Sequence, residues 1–146
     1  MEGEPLEFGF MEEEHKAQEA SKSNNPGKLE NLNTYQRYAS TTAIYPSIGQ
    51  LNVCESNRNP YYPALGLAGE VGEFCNKLKK VMRDNKGVIT PEFIKDAESE
   101  LGDILWYLAA CATELGLELG TIAEANLGKL FKRKEKGTLK GSGDER

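Results

Sequence analysis

Residues 90–116 read TPEFIKDAESELGDILWYLAACATELG, and this stretch decides the fold. Thr90 can cap a helix with its hydroxyl, and Pro91 suits the first helical position, where its missing N–H would go unpaired anyway. Gly116 is the stop. Between them Ile94, Ala97, Leu101, Ile104, Leu105, Leu108 and Ala112 recur at helical spacing on one face. A long amphipathic helix with both ends marked leaves no room for a strand.

Working outward, DNKGVIT before it is a short turn. A second long helix precedes that turn, from near Pro63 to about Asp84, with Leu67, Val71, Phe74, Leu78, Val81 and Met82 on its apolar face. Two long helices joined by a short turn pack antiparallel. Further upstream, Asn33 or Thr34 can cap a helix running to about Tyr45 and stopped by Pro46. Downstream, a fourth helix runs from about Glu118 to Lys134. The expected fold is all-α: a bundle of about four helices around an antiparallel central hairpin. Residues 1–31 form a polar leader, expected to be disordered because it has little apolar surface to offset the entropy of ordering. The helical domain then spans 32–136, followed by a Gly-rich tail at 137–146.

Composition removes several functions. The chain has 146 residues, 38% of them hydrophobic, and carries a net charge of -5 from 23 acidic and 18 basic residues. General nucleic-acid binding needs clustered basic residues, so no nucleic-acid partner is expected. No apolar run approaches a membrane span, and the acidic N-terminus has no signal-peptide pattern, so the expected location is cytoplasmic. Cys54, Cys75 and Cys111 are widely spaced and read as small apolar residues in a reducing compartment. His15 is the single histidine and lies in the leader, which excludes His-based triads and His-rich metal sites from the core. Any metal must be held by oxygen, which favours magnesium or manganese.

The acids are patterned. Glu70 and Glu73 stand three apart beside the apolar stripe of the second helix, and Glu100 and Asp103 stand three apart on the third. Such neighbours share a helix surface, so an antiparallel hairpin can bring the two pairs together. Four converging carboxylates repel one another unless cations intervene. Gly66, Gly69 and Gly72, each costing roughly 1 kcal/mol in a helix interior, are interleaved with the first pair, and Gly102 with the second. They would let a neighbouring helix or a ligand approach the backbone. Either pair alone is what a solvated helix face would show. Spacing alone leaves that reading and a cation site as alternatives.

GLAGEVGE followed by ESELGD resembles the paired acidic signature of the MazG-like nucleoside triphosphate pyrophosphohydrolases, an all-α superfamily that also contains the all-α dUTPases. TYQRYASTTAIYP resembles the first helix of short single-domain members, and NLGKLFKRKEKGTLKGSGDER their C-terminal phosphate-binding segment. The resemblance implies magnesium (with manganese as substitute) on Glu70, Glu73, Glu100 and Asp103. It implies substrate phosphates on Asn126, Lys129 and Arg133, and a reaction turning a nucleoside triphosphate and water into monophosphate and pyrophosphate. It further implies a homodimer or dimer of dimers with sites between subunits. Metal ions bridging carboxylates to phosphate oxygens would let a polyanion approach the acids and would activate water. Glu73 is the candidate catalytic base beside the metal. The tail could fold over phosphates through Lys140 and Arg146, and Gln36, Trp106 and Tyr107 are candidates for the base. The alternatives are an all-α dUTPase or dCTPase of narrow specificity and a non-catalytic helical oligomerisation module.

Overall fold

The computed structural model describes residues 29–46 and 58–139. Four helices make up the described chain: α1 (Leu32–Ser40), α2 (Tyr61–Asp84), α3 (Pro91–Leu115) and α4 (Leu119–Glu135). The all-α bundle is as expected. The leader to residue 28, Cys54 and the tail from residue 140 lie outside the described residues.

The central helix forms between its expected signals. Thr90 caps α3 by accepting from the Phe93 N–H at 3.2 Å, and Pro91 opens it. Gly116 closes it at φ 69, a left-handed conformation that costs a residue with a Cβ. Leu117 then donates its N–H to the Ala112 carbonyl at 2.8 Å, which satisfies one of the carbonyls the helix end leaves open.

α2 and α3 form the antiparallel hairpin. Gly66 lies against Tyr107, while Lys77, farther along α2, pairs with Glu100, farther back on α3. α1 packs across α3 and touches the start of α4. The crossing centres on Ala39 and Ala109, buried together with Leu119, with Tyr35, Leu105 and Trp106 packed around them. Alanines there allow α1 to lie close to α3.

The first helix differs from its sequence reading at both ends. Asn31 is the cap, accepting from the Thr34 N–H at 2.8 Å, in place of Asn33 or Thr34. The helix also stops at Ser40 rather than near Tyr45. Ser40, Thr41 and Thr42 donate their hydroxyls to the carbonyls three residues back at 2.7, 2.7 and 2.8 Å. Three consecutive hydroxyls competing for backbone acceptors tighten the last turn and end it.

Asn33 and Gln36 have a different task. The side chain of Glu118, the residue that opens α4, makes no capping hydrogen bond. Instead Asn33 Oδ1 accepts from the Gly120 N–H and Gln36 Oε1 from the Leu119 N–H, both at 2.7 Å. One helix thus caps another and fixes where α4 leaves the bundle.

Much of the apolar face expected to be core is open. Ile94, Leu101 and Leu108 of that α3 face, and Leu115, which the sequence reading did not include, are 59%, 50%, 40% and 55% exposed. They are spaced by seven residues, the repeat of a helix that packs against another helix along its length. Val71 and Met82 on α2, and Leu127 and Phe131 on α4, are exposed as well. Periodicity finds an apolar face but cannot say whether its partner is in the same chain.

Candidate metal centre

The hairpin gathers acids halfway along its length. Glu70, Glu73 and Glu100 each offer a carboxylate oxygen, and those oxygens lie within 4.8 Å of one another. The three differ in setting: Glu73 is exposed, Glu70 half-buried and Glu100 buried, at 8% exposure. Asp103 is exposed and stands outside that group of three. Its charge still reaches Glu70: burial, then Asp103, Glu73 and Glu100, hold the Glu70 carboxyl above the usual carboxylate range. Like charges forced together favour the protonated form.

Glu100 carries the most informative detail. Its Oε1 accepts from Lys77 Nζ at 2.7 Å, across the hairpin. Its Oε2 is buried and has no hydrogen-bond partner. A buried carboxylate oxygen without a partner is costly. An all-oxygen donor set with one orphaned, buried atom fits a hard divalent cation, and the residues present are suited to hold one.

The glycines divide. A Cβ on Gly66 would clash with the Tyr107 ring, so this glycine is what lets Tyr107 pack against α2. Around Gly69, Gly72 and Gly102 nothing lies within 4 Å. Among the described residues no helix of this chain approaches these three, so of the two expectations, a neighbouring helix or a ligand at the backbone, the first is not met within the chain.

An aromatic group adjoins the acids. Tyr107 is one helical turn beyond Asp103, and burial, then Tyr62, Glu70 and Asp103, push its phenol pKa up. Trp106 meets Tyr107 edge-to-face at 4.9 Å and Tyr45 at 6.4 Å, while Tyr45 stacks on Tyr62 at 4.8 Å. Of the sequence candidates for a base, Trp106 spends its indole N–H on Thr42 Oγ1 at 2.8 Å and helps pack the core. Gln36 has both ends of its amide engaged: besides capping α4 it donates to Thr113 Oγ1 and to the Leu117 carbonyl. Tyr107, whose ring flanks the carboxylates, is the better placed of the three.

The phosphate candidates Asn126, Lys129 and Arg133 lie on α4. Asn126 and Lys129 are exposed and Arg133 is half-buried, with a buried, unpartnered Nε. Lys140 and Arg146 fall outside the described residues. Sequence reasoning missed Lys77. Its position four residues after Glu73 was a usable signal, since that spacing puts it on the same face.

Fold and site together define an all-α protein built on an acid-lined helical hairpin. The chain belongs to the MazG nucleotide pyrophosphohydrolase domain family, which matches residues 62–138, from the start of α2 to beyond the end of α4. It is also similar to the Gene 37 protein of Mycobacterium phage L5, at 47% identity over 115 residues, covering 79% of this chain and 98% of that protein. No solved structure matches the chain significantly. Among the described residues, no helix is long and apolar enough to cross a membrane.

Proposed function

We propose that the protein hydrolyses nucleoside triphosphates to the monophosphate and pyrophosphate, clearing canonical or modified nucleotides from the pool. The observation that carries this reading is the convergence of Glu70, Glu73 and Glu100 from two helices, with one buried oxygen of Glu100 left unpartnered. Glu70, Glu73, Glu100 and Asp103 would hold magnesium, with manganese as substitute. The cation, when bound, supplies charge neutralisation for the phosphates and lowers the pKa of a coordinated water. Glu73, the exposed acid of the three drawn together, is reachable by water and takes the role of proton acceptor. Glu100 is too enclosed for that and serves as an anchor.

Lys129 and Arg133 share a face of α4, with Asn126 one turn before Lys129, and would receive the phosphates, joined by Lys140 and Arg146 of the tail. Tyr107 offers a ring beside the acids for the nucleoside. A second copy of the chain covers the heptad stripe Ile94, Leu101, Leu108 and Leu115, whose exposure is what a homodimer or dimer of dimers requires.

The test is a panel of ribo- and deoxynucleoside triphosphates with Mg²⁺, assayed on wild type and on Glu73→Gln in parallel. Pyrophosphate release by wild type, lost in the variant, is the expected result. Orthophosphate as the product, or no turnover of any nucleotide, would refute it. Activity confined to dUTP or dCTP would narrow the enzyme to a specialist. Light scattering on wild type and Leu101→Glu checks the assembly, with the variant expected to shift toward monomer.

A further inference from the structure

Lys77 has no part in that mechanism. It follows Glu73 by one helical turn on α2, and its ammonium lies 2.7 Å from Glu100 Oε1 on α3. A helix-surface lysine would ordinarily extend into water. This one is two-thirds covered, with its side chain 33% exposed, and its partner's side chain is 10% exposed. The acid it engages is the most enclosed member of the cluster, and Glu73 and Asp96 also stand close enough for their charges to act on it.

The pairing gives the cluster a positive charge of its own. Three carboxylates within a few ångströms are unfavourable in the absence of a counter-ion, and the hairpin must remain folded before any cation arrives. Lys77 supplies that counter-ion covalently. The same charge opposes an incoming cation, because both draw on Glu100 and because two positive charges at such range repel.

We propose that Lys77 is an internal counter-cation of the carboxylate cluster, stabilising it when empty and lowering its affinity for a divalent ion by competing for Glu100. It is a positioning residue that acts through Glu100. The role rests on reading the cluster as a cation site, and it deepens that reading: the empty site is held ready by a lysine, and a cation binds tightly only when substrate phosphates add their own negative charge.

A role limited to orienting Glu100 makes the opposite prediction, because loss of the lysine would then weaken cation binding. The experiment is a Mn²⁺ titration of the full-length, metal-stripped chain without nucleotide. Calorimetry and the electron paramagnetic resonance signal of free Mn²⁺ provide the readouts. Wild type is compared with Lys77→Met, Lys77→Gln and Lys77→Arg. The two neutral variants are expected to bind Mn²⁺ roughly two- to tenfold more tightly at low salt, with the gain shrinking as ionic strength rises. The arginine variant, which keeps the charge, is expected to stay near wild type. In chelator the neutral variants should melt below wild type, and Mn²⁺ should close the gap.

Unchanged or weaker Mn²⁺ binding by both neutral variants, with wild type binding normally, overturns the role of Lys77 and leaves the cation site standing. Absence of Mn²⁺ binding by wild type and by both neutral variants alike overturns the site and the role together.

Discussion

Glu100 and Glu114 sit on the same helix, two heptads apart, and do opposite things. Glu114 is fully satisfied: its Oε1 accepts from the Tyr45 hydroxyl at 2.7 Å and its Oε2 from the Asn59 N–H at 2.6 Å. Asn59 is itself 1% exposed and donates its side-chain amide to the Pro46 carbonyl at 2.8 Å. This carboxylate ties the chain after α1 and the chain before α2 onto α3. Burial, the hydrogen bond to Glu114 and that carboxylate's charge push the Tyr45 phenol pKa well up, keeping it a neutral donor. Glu100, by contrast, is buried with one oxygen on a lysine and the other on nothing. A carboxylate whose acceptors are all used inside the chain is holding the fold together. One left short of partners in a cluster of its own kind is waiting for something from outside.

The widest gap between the two should appear in activity. Glu100→Gln keeps the shape and removes the charge, and is expected to lower kcat/KM for triphosphates by about 100-fold or more. Stability of the metal-free protein should change little, since the repulsion relieved is offset by loss of the charge pair with Lys77. Steady-state assays and urea unfolding of the same preparation measure both. A variant that loses stability but keeps turnover would reverse the distinction.

Glu114→Ala should behave the other way round. It strands the buried Asn59 N–H and the Tyr45 hydroxyl, at a cost of about 3 kcal/mol. Turnover per folded molecule should change little, because the site lies elsewhere on α3. Chemical denaturation gives the first quantity and active-site titration the second.

Gly66 and Gly69 sharpen the same contrast on α2. Gly66→Ala forces a methyl group into the Tyr107 ring, an overpacking expected to cost about 1–3 kcal/mol. Gly69→Ala meets open space in the subunit and is expected to raise helix stability by roughly 1 kcal/mol or less. Thermal unfolding of the two variants decides this. A destabilised Gly69→Ala would mean that a second copy of the chain packs against that face.

What could be read from sequence follows from which forces are local. α3 was legible from Thr90 to Gly116 because its start and stop depend on residues next to it in the chain. The acidic pairs were legible because a three-residue spacing has a direct geometric meaning on a helix. The end of α1 was not, because Ser40, Thr41 and Thr42 read as helix-tolerant until all three hydroxyls turn back on the backbone. The capping of α4 by Asn33 and Gln36, the buckle at Glu114 and the Lys77–Glu100 pair join residues far apart in sequence. Local spacing can place Lys77 on the face of Glu73, but nothing in it announces Glu100 or the other distant partners. Gln36 shows the cost of that: a candidate for the base from sequence, it is committed to backbone groups at the α3–α4 turn.

The smallest expected effect concerns protons at the cluster. Burial first, then the charges of Asp103, Glu73 and Glu100, hold the Glu70 pKa above that of an ordinary glutamate. Between the ordinary and the raised value the folded chain keeps a proton that the unfolded chain has released. This group's contribution to stability is therefore present at low pH and declines as pH rises through the raised value. A divalent cation competes with the same proton, so Mn²⁺ affinity should climb across that interval. Glu70→Gln, which cannot titrate, should flatten the upper part of the climb while Glu114→Ala leaves it intact. If the two variants gave the same pH profile, the acids of the hairpin centre would be electrostatically independent, and the line between a satisfied carboxylate and a crowded one would have to be drawn from geometry alone.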